Sequence, residues 1–286
     1  MLKKVTIFSV FIVTIQINTV VFASEEPDWL KRISLNAEIE TDKQPTFYLE
    51  TVQPLRQSLD KINTYFIQPR VSMRGGDFTY NLGAGYRKLQ SENLLWGINI
   101  FGDYADLHEH GRAGVGFEAL GQKIEARLNS YFGITSKRIV EEQGGVVSIY
   151  ERVADGLDLE AGTPIPYLPW LKIYGSGFFY NFRKANDKFG WKSRLESRVT
   201  DWCIIDLYVW DDNKGETEFG GKLEAKIPFD KWSDIKNAFK FAKTPYAEKD
   251  LTEYTLIPVE RNFDIVVEKW SESANSNITV RIGRGN

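Results

Sequence analysis

A two-residue period runs through this chain in segment after segment and narrows what it can fold into. Between Leu95 and Tyr104, Trp96, Ile98, Ile100, Gly102 and Tyr104 alternate with Gly97, Asn99, Phe101 and Asp103. Between Lys123 and Ile134, Ile124, Ala126, Leu128, Ser130, Phe132 and Ile134 alternate with Lys123, Glu125, Arg127, Asn129 and Tyr131. Trp191–Val199 and Gly220–Phe229 repeat the pattern, with Lys192, Arg194, Glu196 and Arg198 on the polar face of one and Lys222, Glu224 and Lys226 on that of the other. Successive residues of a strand point to opposite faces, so each segment becomes a strand with one apolar and one polar face. A half-buried sheet in water alternates too, which leaves a soluble sandwich or lipocalin-like barrel open on this pattern alone. Three details favour a barrel in lipid. The segments run to about ten residues, against roughly five or six for ordinary strands. Aromatic residues sit near the ends of apolar faces, as Phe78, Trp96, Tyr104, Phe132, Trp191 and Phe229 do, where a membrane barrel needs interfacial girdles. Many positions on the opposite face are Gly or charged, which suits a polar lumen.

Twelve candidate strands lie near residues 32–40, 46–53, 63–73, 77–88, 94–105, 110–120, 122–134, 147–162, 169–182, 189–199, 202–211 and 217–229. Pro164, Pro166 and Pro169 crowd one joint, and because proline cannot donate to a ladder that joint is a turn or loop. The expected fold is all-β: a single twelve-stranded antiparallel transmembrane barrel over residues 24–229. An even count returns the chain to the side it started from. Composition alone looks soluble, with 42% hydrophobic residues, 26% charged residues and a net charge of -3. A barrel produces that average because its two faces cancel. The near-balanced charge argues against a nucleic-acid partner. The single cysteine, Cys203, excludes an internal disulfide and a multi-cysteine metal site.

The ends carry further signals. Met1-Leu2-Lys3-Lys4 is basic, Val5–Phe22 is uncharged, and Val21-Phe22-Ala23 sets compact residues before Ser24. Residues 1–23 are therefore expected to be a cleaved signal peptide, with a membrane anchor as the alternative for so long an apolar run. After the last strand, residues 230–286 form a separate region. Lys231–Lys243 reads as an amphipathic helix with Trp232, Ile235, Phe239 and Ala242 at helical spacing, Asp230 as its cap and Thr244-Pro245 as its stop. Ile257–Lys269 reads as extended. Trp232, Ile235 and Phe239 are expected to plug the lumen, and the extended piece to line it toward the exterior. A helix outside the pore is the alternative.

The carboxylates Asp103, Glu118, Glu125, Asp158 and Glu160 fall on lumen faces, as do Arg87, Arg112, Arg127, Lys192, Arg194 and Arg198. Opposed charges of this kind are expected to brace or hydrate a pore. Gly83-x-Gly85 and Gly114-x-Gly116 do not open a helix, so they are not phosphate loops; in strands they allow close packing of the lumen contents or sharp curvature. His108 and His110, the only histidines, sit beside Asp106 and Glu109 in a turn expected to be solvated. Close spacing in a loop is weak ligand evidence, and no motif places a nucleophile near them. No enzyme activity, metal or cofactor is expected.

Several motifs resemble one family. They are Asn81-Leu82-Gly83-Ala84-Gly85-Tyr86-Arg87, Gly97-Ile98-Asn99-Ile100-Phe101-Gly102-Asp103-Tyr104, Arg112–Ala119, Asn129–Gly133, Tyr150–Leu159 and Tyr167–Leu171. In this order and spacing they resemble the membrane domain of the inverse autotransporters, the intimin and invasin family. A looser likeness runs from Leu35 to Lys269, where Glu260–Lys269 resembles the family's post-barrel segment. The resemblance implies a twelve-stranded outer-membrane barrel with periplasmic ends, a linker threading the pore, and an extracellular adhesin passenger beyond it. Leu223, Ala225, Ile227 and Phe229, alternating to a terminal aromatic, resemble the signal recognised by the barrel assembly machinery. Outer-membrane lipid, that machinery and periplasmic chaperones are the partners implied. Only 17 residues follow Lys269, which departs from the family pattern. The expected function is thus a translocator or anchor barrel without an adhesin passenger, any separate passenger being unidentified. A porin-like channel is the alternative, and a hydrolase working at the barrel rim a weaker one.

Overall fold

The computed structural model describes residues 27–143, 147–227 and 239–273. Its strands are β1 (Ile33–Glu40), β2 (Thr46–Thr51), β3 (Gln53–Gln57), β4 (Asn63–Arg74), β5 (Asp77–Ser91), β6 (Leu94–Ala105), β7 (His110–Gly121), β8 (Glu125–Gly133), β9 (Arg138–Gln143), β10 (Val147–Val153), β11 (Asp155–Ile165), β12 (Leu168–Asn181), β13 (Lys188–Arg198), β14 (Cys203–Asp212), β15 (Glu218–Lys226) and β16 (Val267–Ser273). Thirteen of them form one sheet, ordered β2-β1-β15-β14-β13-β12-β11-β8-β7-β6-β5-β4-β3, with β2 also pairing to β4. β2 and β3 lie end to end against β4, interrupted at the inward-turned Val52, and so act as a single strand. The sheet is therefore a closed, twelve-stranded antiparallel barrel. β1 and β15 meet at the seam, from Ser34↔Lys226 to Glu40↔Gly220. Closure leaves no unpaired edge, the condition for a sheet to cross lipid.

The pleat then sorts the side chains. On β6, Leu95, Gly97, Asn99, Phe101 and Asp103 are buried inside, while Ile98 and Ile100 are 50% and 63% exposed outside. Leu82, Val115, Phe117, Leu128, Leu159, Leu207 and Leu223 extend the same outward apolar band around the barrel. A continuous belt of this kind needs a hydrocarbon solvent. Ile33 and Lys226 mark the near rim, where the barrel begins and ends. Near it, Tyr65 meets Tyr86 with tilted rings, and Tyr86 meets Trp96 edge to face, along the wall. Toward the far rim, Phe47, Phe78, Tyr104, Phe132, Phe179, Phe189 and Phe219 face outward. These are the two aromatic girdles.

One expected strand divides. Residues 147–162 break at Ala154, whose N–H donates to Val266 O at 2.9 Å. The first half, β10, leaves the barrel and pairs with β9 and β16 in a three-stranded antiparallel sheet beyond the far rim. The second half, β11, takes the barrel position beside β8.

The described helices are two short 3-10 turns, Leu30–Arg32 and Leu251–Leu256. No described helix is long and apolar enough to cross a membrane. The expected signal peptide over 1–23, Phe229, Trp232 and Ile235 lie outside the described residues. The end of the expected plug helix is described, and it is not helical. Residues 239–243 form a turn and irregular chain at the near rim, where Ala242 N–H donates to Tyr167 O and Tyr167 N–H to Pro245 O, at 2.9 and 2.7 Å. Phe239 is half-exposed there, edge-on to Trp170. The extended chain after it, not Phe239, enters the lumen.

Candidate functional site

Residues 251–266 run through the barrel from the near rim to the far rim. Asp250 caps the 3-10 turn by accepting from Thr252 N–H at 2.9 Å, and Leu251 packs against Leu95 and Leu120 inside the near mouth. Beyond Leu256 the chain is extended and has no sheet partner until β16. Buried backbone polar groups must still be paired, and here lumen side chains pair them. Arg87 donates to Thr255 O and Ile257 O at 3.2 and 2.6 Å. Gln68 accepts from Val259 N–H at 2.9 Å. Asn129 donates to Glu260 O at 3.3 Å, and the Tyr131 hydroxyl accepts from Asn262 N–H at 2.9 Å. Arg112 donates to Asn262 O and Asp264 O, both at 2.8 Å. At the far rim Val266 O accepts from Ala154, and β16 pairs with β10 from Val267↔Val153 to Ser273↔Val147.

Ion pairs then fix the segment's side chains. Arg261 clamps Asp103 at 2.9 and 3.3 Å, Asp264 meets Arg74 at 2.9 Å, and Glu260 lies 3.8 Å from Lys222. Arg70 stacks between Tyr48 and the segment's Phe263, 3.5 and 4.1 Å from the two rings. Beyond the far rim, the Glu268 carboxylate accepts from three successive amides, Arg183, Lys184 and Ala185. Successive N–H groups make such an anion-binding concavity. This contact ties β16 to the loop between β12 and β13. A cavity of about 240 Å³ remains beside the segment, lined by residues such as Tyr48, Arg70, Lys192, Tyr208 and Lys222.

The structure places the sequence-derived lumen residues as follows. Arg87 pairs with Glu118, Arg112 with Asp103, and Arg127 with both Glu125 and Glu160. Arg194 joins Glu160, Glu196 and Asp206. Asp158 accepts hydrogen bonds from Tyr131 and Asn129. Arg198 lines a smaller cavity at the near rim with Lys172 and Glu196. Leu223 and Ala225 lie on β15, with Leu223 exposed on the lipid face. The glycines have a packing role. A Cβ on Gly83 would come 2.2 Å from the Phe101 ring, one on Gly85 2.3 Å from Phe66, and one on Gly114 2.7 Å from Arg261. The small residues make room for rings and for the threading segment.

Sequence reasoning missed Gln68, Arg70, Arg74, Lys172, Asp206 and Arg261 as members of this network. Gln68 and Arg70 were visible as inward positions of a strand; Arg261 carried no periodic signal at all. The turn containing His108 and His110 is also corrected. It is not freely solvated: His108 Nδ1 and His110 Nε2 lie 2.9 and 3.0 Å from Glu151 Oε2, and His110 is buried. Burial opposes ionisation of Glu151, but hydrogen bonds with His110 and Lys269 outweigh it and lower its pKa to about 2.

A closed barrel with an apolar outside, two aromatic girdles and a charged lumen is an outer-membrane β-barrel. The family model of the inverse autotransporter beta-domain matches residues 12–188, and the chain belongs to that family. A membrane protein structure from a study of in-meso crystallization superposes with a TM-score of 0.65 at 16% identity, covering 83% of this chain and 99% of that one. This likeness is one of fold. The KdgM porin gives 0.49 at 8% identity over 68% and 98% of the two chains. Outer membrane phospholipase A from Escherichia coli gives 0.44 at 10% identity over 71% and 94%. No curated protein matches the chain.

Proposed function

We propose that this barrel is a translocator and anchor that holds the C-terminal part of its own chain through its lumen, with the near rim in the periplasm and the far rim at the cell surface. The observation that carries this reading is the course of residues 251–273. They enter beside Leu95 and Leu120, are gripped along the lumen by Arg87, Gln68, Asp103 and Arg112, and emerge to pair with β10. A chain that starts and ends its barrel on one side reaches the other side only through the pore. The cargo is the chain that follows Ser273. Residues 1–23 direct export, periplasmic chaperones carry the unfolded chain, and the sequence Leu223, Ala225, Ile227 and Phe229, which begins on β15, the last strand of the barrel, is read by the barrel assembly machinery. Steady porin-like conduction is disfavoured because the segment occupies the lumen.

Cysteine labelling tests the reading. In a Cys203→Ser background, Ser271→Cys is expected to react with a membrane-impermeant maleimide on intact cells. Glu92→Cys, in an exposed near-rim turn, is expected to react only after the outer membrane is opened. Protection of Ser271→Cys in intact cells sinks the proposal.

A further inference from the structure

We infer that His108, His110 and Glu151 form a binding site for a divalent transition-metal ion of the zinc type at the far rim. The chain has two histidines, and the fold brings both to a single carboxylate oxygen contributed by a strand 41 and 43 residues away. His108 comes from the loop between β6 and β7, His110 from the first residue of β7, and Glu151 from β10, which has left the barrel. Between the histidines, Glu109 holds a left-handed backbone, φ 54°, a conformation that side-chain-bearing residues rarely adopt. The two rings lie on the same side of that turn with centroids 6.0 Å apart.

The donor set suits such an ion. Two imidazole nitrogens and a carboxylate oxygen are ligands that zinc, nickel and copper favour. All three atoms lie within 4.8 Å of one another. Tetrahedral bonds of about 2.0–2.2 Å would set ligand atoms roughly 3.3–3.5 Å apart. The observed nitrogen–oxygen distances of 2.9 and 3.0 Å would open by a few tenths of an ångström, and the two nitrogens, within 4.8 Å of each other, would draw together by up to about 1.3–1.5 Å. His108, part-exposed on a loop, is free to make that adjustment and leaves a fourth position open to water. Without an ion both rings must offer an N–H to the same Oε2. With one, each neutral ring offers a lone pair instead, while Lys269 stays on the other oxygen, Oε1, at 3.2 Å. The ion would pin the β6–β7 loop to β10 beside the strand where the threading segment emerges.

Calorimetric titration of the untagged, folded barrel in detergent with zinc chloride, after dialysis against a chelator, tests the site. Saturable binding of one ion per chain is expected, weakened about tenfold or more in His108→Ala and in His110→Ala. Cobalt bound at the same site is expected to show the visible absorption of tetrahedral coordination. Heat-modifiable migration on gels verifies folding of each variant, and His108→Ala, at a part-exposed loop position, keeps the test decisive if His110→Ala fails to fold. Absence of saturable binding, or equal binding in a folded histidine variant, overturns the assignment.

Discussion

Replacing Arg261 by Met loosens the threading segment by an amount the structure sets. The guanidinium is 2% exposed and makes two charge-assisted hydrogen bonds to Asp103, at 2.9 and 3.3 Å. It also lies over the Phe101 ring, 4.4 Å from its centroid. Removing one member of a buried pair is most costly when its partner is left alone. Here Asp103 keeps Arg112 and Asn81, both at 2.8 Å. Methionine retains apolar contact with Phe101. The loss is then that of the hydrogen bonds to a charged group, about 2–3 kcal/mol in total. With one decade per ~1.4 kcal/mol, amides that depend on docking of the segment exchange roughly 30- to 150-fold faster. The amides to follow are Val259, bonded to Gln68, and Asn262, bonded to Tyr131. Hydrogen exchange with mass spectrometry on the folded barrel resolves them from β6 and β7, whose ladder amides should keep their protection. Exchange at 259–262 within about threefold of the parent, or equal acceleration in the strands, refutes a segment docked through Asp103.

Three further substitutions probe the packing around the segment. Gly83→Ala drives a methyl into Phe101, which packs edge-on to Phe263, and is expected to cost about 1–3 kcal/mol, read as a lower temperature for loss of the heat-modifiable gel form. Gly102→Ala, whose added methyl meets nothing within 4 Å, should leave that temperature unchanged, and equal effects of the two would contradict the packing account. Glu268→Ala removes the carboxylate that gathers the amides of Arg183, Lys184 and Ala185. Trypsin should then cut at Arg183 or Lys184 several-fold faster, and an unchanged rate would show that β16 does not hold that loop.

Most of the barrel was legible because each strand writes its own two faces. Glu125, Arg127, Asn129 and Tyr131 alternate with Ala126, Leu128 and Ser130, and that local order is enough to assign inside and outside. Legibility failed where the period continued but the partner changed. Residues 147–162 look like one long strand, yet hydrogen bonding at Ala154 to Val266 divides them between two sheets. It failed again after the barrel. Phe239 has helical spacing with Trp232 and Ile235, but it rests on Trp170 at the rim. The lumen is occupied instead by extended chain whose partners are scattered over β4, β5, β6, β7 and β8. An extended segment held by side chains carries no period of its own.

The sequence by itself determined the all-β barrel, its approximate strand boundaries, the lipid-facing band and the set of charges confined to the lumen. These follow from alternation, which acts between neighbours in the chain. Tertiary structure alone decided which charges meet: that Arg112 and Arg261 share Asp103, that Asp158 is held by Tyr131 and Asn129, and that both histidines converge on Glu151. These choices depend on the register of each strand against the next and on where the threading segment crosses the closed sheet. A one-residue change of register exchanges every inward residue for an outward one. The pairing inside the pore is therefore a property of the closed barrel and not of any strand in it.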